Sequence, residues 1–337
     1  MSIRDQIIVL ARGGDLTQAQ AGEAMEEIMT GMATPAQIAA FLTALHLKGE
    51  TDAEIAGMAS VMRAKSLSVA HDGPVLDTCG TGGDASGTFN ISTTAAFVAA
   101  GAGAVVAKHG NRAMSSTCGS ADVLEGLGVN IELDAEGVAH CLREAGIGFM
   151  FAQKFHPAMR FVGPVRREIG IRTVFNVLGP LTNPARARHQ VLGVPNAQIA
   201  EKLARALARL DTAHALVVSG AGGLDELALS GPNQAIQVRD GNVRQLDPID
   251  AADLGLPRAP REAVLGGTVA ENVAILRAVL RGEEHGPRRD IVLLNAAAAL
   301  FAADKAGDMR EGLVLARQSL DSGAAHDRMQ RMVAASN

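Results

Sequence analysis

The chain has 337 residues, 31 of them Lys or Arg and 36 Asp or Glu, so its formal charge is −5; it carries 9 Phe but no Tyr or Trp. That balance excludes a nucleic-acid binder, which needs a basic footprint and, for single strands, aromatic stacking platforms. At 47% hydrophobic residues and low net charge the chain is not disordered, and its length allows one large domain or two modest ones with ample core.

The first part reads as helical. Thr17 with Gln20, Thr34 with Gln37 and Thr51 with Glu54 are capping boxes, and Pro35 takes the favoured first helical position. Ile38, Phe41, Leu42 and Leu45 form one apolar stripe, and Ile55, Met58 and Met62 another. The pattern then changes. A strand at Val75–Asp77 runs into a Gly-rich loop, followed by a helix from Ser92 to Ala100. A strand at Val105–Ala107, a helix at Ser120–Leu127 and segments at Asn130–Leu133, Gly137–Ala145 and Gly148–Ala152 continue the alternation. Segment 157–186 interrupts it with helix-like pieces and prolines. Alternation resumes with Gln190–Gly193, helix Asn196–Leu210 and strand Ala215–Ser219. Ala235–Val238 and Val243–Leu246, joined through Asp240 and Gly241, read as a hairpin. Thr268 with Glu271 opens another capped helix, and the C-terminus is helical. The fold class is α/β: a small N-terminal helical bundle plus a larger α/β domain with a mostly parallel central sheet. Its expected domains are 1–72, with part of 157–186 packing back on it, and 73–337.

Cys79, Cys118 and Cys141 are too scattered for a disulfide framework and form no CxxC pair, so a reducing, cytoplasmic setting is expected. The first residues lack the order of a signal peptide. The uncharged run 85–107 is punctuated by Gly, Ser, Thr and Asn, and the run 291–303 is too short to span a bilayer, so no membrane role is expected.

Four sets of residues carry chemistry. The run 77–94, DTCGTGGDASGTFNISTT, lies between a strand and a helix. Its glycines let backbone approach a phosphate, the helix start offers free N–H groups, and Thr88, Ser92, Thr93 and Thr94 add hydroxyls. It lacks the Gly-Lys-Ser/Thr of a Walker loop and the spacing of a dinucleotide fingerprint. A plain Gly-rich turn with Ser92 as N-cap explains it less well. The run 108–112, KHGNR, with Ser115, Ser116 and Ser120 beyond it, is placed after the next strand, beside the first loop. Asp225 and Glu226, beyond the strand ending at Ser219, offer two hard oxygen ligands that suit Mg²⁺ near phosphate. A fourth set, Arg166, Arg167, Asn176 and 179–184 (GPLTNP), offers an arginine to grip a carboxylate, and the residues alone leave the choice between Arg166 and Arg167 open. Cys79 and Cys118 have no neighbour that would make either a nucleophile.

With GTGGD, NIST, KHGNR, LDE and GPLTNPA in this order, the chain resembles the anthranilate phosphoribosyltransferases over nearly its whole length. The resemblance implies transfer of a phosphoribosyl group from 5-phosphoribosyl 1-pyrophosphate to the amine of anthranilate, in tryptophan biosynthesis, by a homodimer joined through its helical part. It implies that Gly80, Gly82, Gly83, Asp84, Thr88, Asn90, Ile91, Ser92, Thr93, Lys108, Ser115, Ser116 and Ser120 bind the donor. Gly80, His109, Asn111 and Arg166 would contact anthranilate. Ser92, Asp225 and Glu226 would serve Mg²⁺, as two ions, and no residue is marked as general acid or base. The segment 219–223, Thr117 and the Thr268–Val269 pair depart from the commoner family pattern. The similar pyrimidine nucleoside phosphorylases would carry a different loop at 108–112, without the Asn, and a nucleic-acid-binding relative would need a basic surface.

Overall fold

The computed structural model describes residues 2–113 and 117–337. Four helices open it: α1 (Ile3–Ala11), α2 (Gln18–Met29), α3 (Pro35–Lys48) and α4 (Asp52–Lys65). The capping boxes at Thr17, Thr34 and Thr51 all form. Another, Ser2 with Asp5, starts α1 and was not expected. Glu54 also reaches beyond its own cap: it accepts from the Leu16 amide at 2.9 Å and from Lys48 Nζ at 3.0 Å, tying α4 to the α1–α2 connection. The apolar stripes of α3 and α4 are buried as their spacing predicts.

Seven strands form one sheet in the order β3-β2-β1-β4-β5-β6-β7. They are β1 (Leu76–Gly80), β2 (Val106–Gly110), β3 (Ile147–Phe151), β4 (His189–Gly193), β5 (His214–Ser219), β6 (Gln234–Arg239) and β7 (Asn242–Gln245). The first five run parallel and the last two pair antiparallel. The expected hairpin turns through Asp240 (φ 47°) and Gly241 (φ 79°). The order reverses between β1 and β4, where an open parallel sheet leaves a crevice at its carboxyl edge.

Alternate residues of β5 face two cores. Leu216 and Val218 belong to the core that α5 (Ile91–Gly101), α6 (Ser120–Leu127) and the C-terminal helices share. Ala215 and Val217 face helix Ala197–Ala208 and the core shared with α1–α4. Val162, Val165, Phe175, Leu178 and Leu181, from the interrupting segment, belong to that second core. The apolar run at 291–302 forms most of a helix, Pro287–Ala302, buried in the first core. Among the described residues, no helix is long and apolar enough to cross a membrane.

Three expectations need correction. Lys108 and His109 lie inside β2, not beyond it, because β2 pairs with β3 as far as Gly110 and Phe151. Residues 130–133 turn rather than extend: Asn130 Oδ1 accepts from the Glu132 amide at 3.0 Å, and the Asn130 backbone N–H donates to Ser336 Oγ at 3.1 Å. Helix α5 starts at Ile91, one residue before the expected start near Ser92, with Asn90 as its N-cap.

Candidate active site

The floor of the crevice is set by a close backbone approach. Gly80 pairs with Gly193 across β1 and β4. A methyl on Gly193 would overlap the main-chain carbonyl of Asp225, so only glycine lets the loop after β5 descend between the strand ends. There Asp225 Oδ2 accepts from the Gly82 amide at 2.8 Å, and Glu226 Oε1 accepts from the Ser92 amide at 3.1 Å. The Asp225 amide in turn donates to Asp84 Oδ2 at 3.4 Å. Loss of solvent pushes both the Asp225 and Glu226 carboxyl groups above the usual carboxylate range, and repulsion among Asp225, Glu226 and Asp84 adds to it.

Two asparagines hold this acid loop, and sequence reading missed both. Asn233 Oδ1 accepts from the Ala221 and Ala228 amides at 3.1 and 2.7 Å, clasping both ends of the loop. Asn295 accepts from the Leu227 amide and returns Nδ2 to the Leu227 carbonyl, both at 2.9 Å. Asn295 interrupts an apolar run and Asn233 follows a Gly-Pro turn, and neither sequence context says which backbone the side chain serves.

On β2, the buried Lys108 donates to the Thr78 carbonyl and lies 3.5 Å from Ser92 Oγ. Beneath it the fully buried Asp77 accepts from the His109 amide at 3.2 Å and from Asn183 Nδ2 at 2.8 Å. Asn183 also donates to the Ala107 carbonyl at 2.8 Å, so the GPLTNP segment fixes β2. Thr88 hydrogen bonds with Ser86 at 3.2 Å. Ser120 opens α6 and lies 3.4 Å from the Asn111 carbonyl. Ile91 and Thr93 are buried, so a ligand would meet them through backbone. Ser115 and Ser116 lie outside the described residues.

The histidine and arginine candidates have a different chemistry. The rings of His109 and His156 stand 5.0 Å apart, and the Nε2 atom of each is buried without a partner. Burial first, and for His109 the second ring too, lowers their pKa values to about 3 and about 4, so both are neutral. Arg166 is half-buried, stacks over Phe175 at 5.3 Å, and has its pKa lowered by burial; Arg167 points outward, exposed. Asn111 caps the Arg112 amide at 2.8 Å. Arg112 itself is engaged by Asp122 and, in bidentate fashion, by Glu125. The Thr117 hydroxyl donates to the Gly267 carbonyl at 2.8 Å. Burial raises the Cys79 thiol well above its usual value and Cys118 to about 11, so neither is a nucleophile.

Among the described residues no three His, Cys, Asp or Glu side chains converge as a closed metal site. Asp225, Glu226 and the Ser92 hydroxyl instead offer an incomplete, all-oxygen set. Two crowded carboxylates, one hydroxyl and adjoining phosphate-type loops fit a hard divalent cation that keeps waters and shares phosphate oxygens.

Residues 72–326 match the glycosyl transferase family α/β domain, and residues 4–66 match the helical bundle domain of the same family. The chain is 73% identical to an anthranilate phosphoribosyltransferase of Roseiflexus castenholzii, covering 100% of this chain and 99% of the relative. The crystal structure of the Thermus thermophilus anthranilate phosphoribosyltransferase superposes with a TM-score of 0.92 at 47% identity, covering 98% of this chain and 99% of that one. The Saccharomyces cerevisiae enzyme in complex with PRPP and Mg gives 0.90 at 28% identity, over 99% and 97%. The site and fold are thus those of a glycosyl transferase with a helical-bundle partner domain. Within that class, the chain belongs to the anthranilate phosphoribosyltransferase family.

Proposed function

We propose that this chain transfers the 5-phosphoribosyl group of 5-phosphoribosyl 1-pyrophosphate to the amine of anthranilate, releasing N-(5-phosphoribosyl)anthranilate and pyrophosphate in tryptophan biosynthesis. One observation carries the reading: the glycine loop, Lys108 with Ser92, and the Asp225–Glu226 pair meet at a single sheet edge, with the neutral His109 next to Lys108 on the same strand.

Backbone N–H groups of Gly80–Asp84 and of the start of α5, with Thr88, Asn90, Ser92, Lys108 and the serines at 115, 116 and 120, hold the donor's phosphates. Asp225, Glu226 and Ser92 would hold Mg²⁺, as two ions, whose charge makes pyrophosphate a better leaving group. Arg166 grips the anthranilate carboxylate, with Asn111, His109 and Gly80 around the amine and ring. Neutral His109 and His156 add no positive charge to compete with Arg166. An aryl amine attacks through a free lone pair, so no residue has to remove a proton before the ribose bond forms. The catalysis expected of these residues is therefore positioning, on the order of 7–11 kcal/mol at most, together with fixed N–H dipoles facing the departing pyrophosphate.

Residues 1–72 and 73–337 act as two domains, closing on the substrates to exclude water from the ribose carbon. Two copies pair through the helical part, a reading supported by Ile8, Met32 and Leu47, which expose 44%, 75% and 79% of their surface there. The three free cysteines fit a reducing cytoplasm. The test is loss of anthranilate fluorescence on adding donor and Mg²⁺; no consumption at any Mg²⁺ concentration overturns the assignment.

A further inference from the structure

Arg172 belongs to none of the groups so far given a role. It follows helix Gly163–Ile169 and precedes Thr173, whose amide is capped by Asn176 Oδ1 at 2.9 Å. Its neighbours Val165, Val174 and Phe175 are packed in the core shared with α1–α4, so Arg172 is mounted on the bundle side of the crevice. Its side chain crosses to the other side. A Cβ on Gly83 would overlap Arg172 Nη1 and stand 3.3 Å from its Cζ and Nη2, so the guanidinium lies against the bare backbone of the glycine loop. Gly83 adopts φ +78° there, which leaves the contact face free of any side chain.

The position is unusual for an arginine. It is exposed and has no carboxylate partner among the described residues, although Asp84 is one residue from the backbone it touches. The other cations of the site are committed: Lys108 to the Thr78 carbonyl, Arg112 to Asp122 and Glu125, Arg166 to the ring of Phe175. An uncommitted guanidinium held over a phosphate-type loop offers a planar fork of donors to phosphate oxygens.

We propose that Arg172 is a donor-binding residue: it grips the pyrophosphate end of the donor over Gly83, so that a residue mounted on the bundle side of the crevice completes the phosphate site of the glycine loop. The proposal rests on the donor assignment made under the proposed function. It differs from the role proposed for Arg166, whose guanidinium stacks on Phe175.

The test uses the full-length protein with Arg172→Ala and Arg172→Lys. Steady-state kinetics give KM for each substrate, and calorimetry measures binding of inorganic pyrophosphate with Mg²⁺. Arg172→Ala is expected to raise the donor KM and the pyrophosphate Kd by about tenfold or more, the loss of one charge-assisted pair, with anthranilate KM within twofold. Arg172→Lys should recover part of both, because it keeps the charge and loses the fork. Donor KM and pyrophosphate Kd both within twofold of wild type in Arg172→Ala overturn the proposal. So does a parallel rise in both substrates' KM with no recovery in Arg172→Lys. Failure of the functional assignment looks different: the unmodified chain would then consume no anthranilate.

Discussion

The two ends of the parallel sheet are built from the same strands and treat polar groups in opposite ways. At the amino edge, His189 Nδ1 lies 2.8 Å from the Ala302 carbonyl. His214 is bracketed by Asp304 at 2.8 Å and Gln237 at 2.9 Å, and Arg239 joins Asp304 at 3.2 Å. A cavity of about 530 Å³ opens there, lined by Val69, Val75, Pro184 and Arg188 among others, yet both ring nitrogens of its His71 meet carbonyls, at 2.8 and 2.9 Å. At the carboxyl edge Thr81 Oγ1, Asn90 Oδ1, His109 Nε2 and His156 Nε2 are buried without partners, and two carboxylates crowd each other. Buried polar atoms are normally paired, so a concentration of unpaired ones marks where a ligand supplies the partners. Cavity volume points to one end of the sheet and unmet hydrogen bonds to the other; the chemistry follows the second.

The contrast is tested hardest by removing the charge from the acid pair. Asp225→Asn with Glu226→Gln should lower kcat/KM by about 10³-fold, roughly 4 kcal/mol, while raising the melting temperature of the Mg²⁺-free protein. The pH dependence has a definite sign. In the ion-free protein both groups titrate above the ordinary carboxylate range, so the folded chain retains protons that the unfolded chain has lost. Stability therefore falls as pH rises from about 4 toward the raised values, and the double variant should lose that slope. Calorimetry in chelator across this range decides; an unchanged slope, or a lower melting point in the variant, shows that the acids are not a stored strain.

Gly193→Ala comes next. Its methyl meets backbone rather than a flexible side-chain end, so the Asp225 loop has to move. The expected cost is about 2–3 kcal/mol of stability with a loss of Mg²⁺ response, read by thermal melting and metal titration. Melting and Mg²⁺ titration curves matching those of the unmodified chain would show that the loop does not depend on this approach.

The helical caps were legible because each is a local code: a hydroxyl, three residues, and a Gln or Glu. The phosphate-type loop was legible because glycines and hydroxyls cluster in one stretch of chain. The clamps were not. Asn233 and Asn295 are single residues whose partners are fixed by tertiary packing, and Asn295 lies 68 positions from Leu227. Lys108 and His109 read as loop residues because they are polar; the sheet takes them in because Asp77, Asn183 and the Thr78 carbonyl wait for them. Arg172 gave no signal at all, since its meaning lies in the backbone of Gly83 across the crevice.

The residue types alone left the choice between Arg166 and Arg167 open, the family resemblance named Arg166, and the two differ in burial, Arg166 being half-buried and Arg167 exposed. Arg166→Ala should raise the anthranilate KM by about 10–50-fold and leave the donor KM unchanged, whereas Arg167→Ala should stay within about twofold for both. Steady-state kinetics on the pair give the answer, and an equal effect of the two substitutions would remove the acceptor role from Arg166.

The smallest expected effect lies at the amino edge, and it has the opposite pH sign. Burial lowers the His214 pKa below its ordinary 6.5, while Asp304 opposes the shift. Below pH 6.5 the unfolded chain takes up a proton that folded His214 resists, so this group's contribution to stability is lost as pH falls through that window. Asp304→Asn removes the opposing carboxylate, which is itself 42% exposed. Its cost at pH 7.5 should be modest, about 1 kcal/mol, and larger at pH 5.5, where the buried ring can no longer be charged against a partner. The catalytic constants at pH 7.5 should not change. A variant that loses activity with its fold intact would mean that the amino edge communicates with the site. A cost independent of pH would mean that Asp304 serves Arg239 and the turn, not His214.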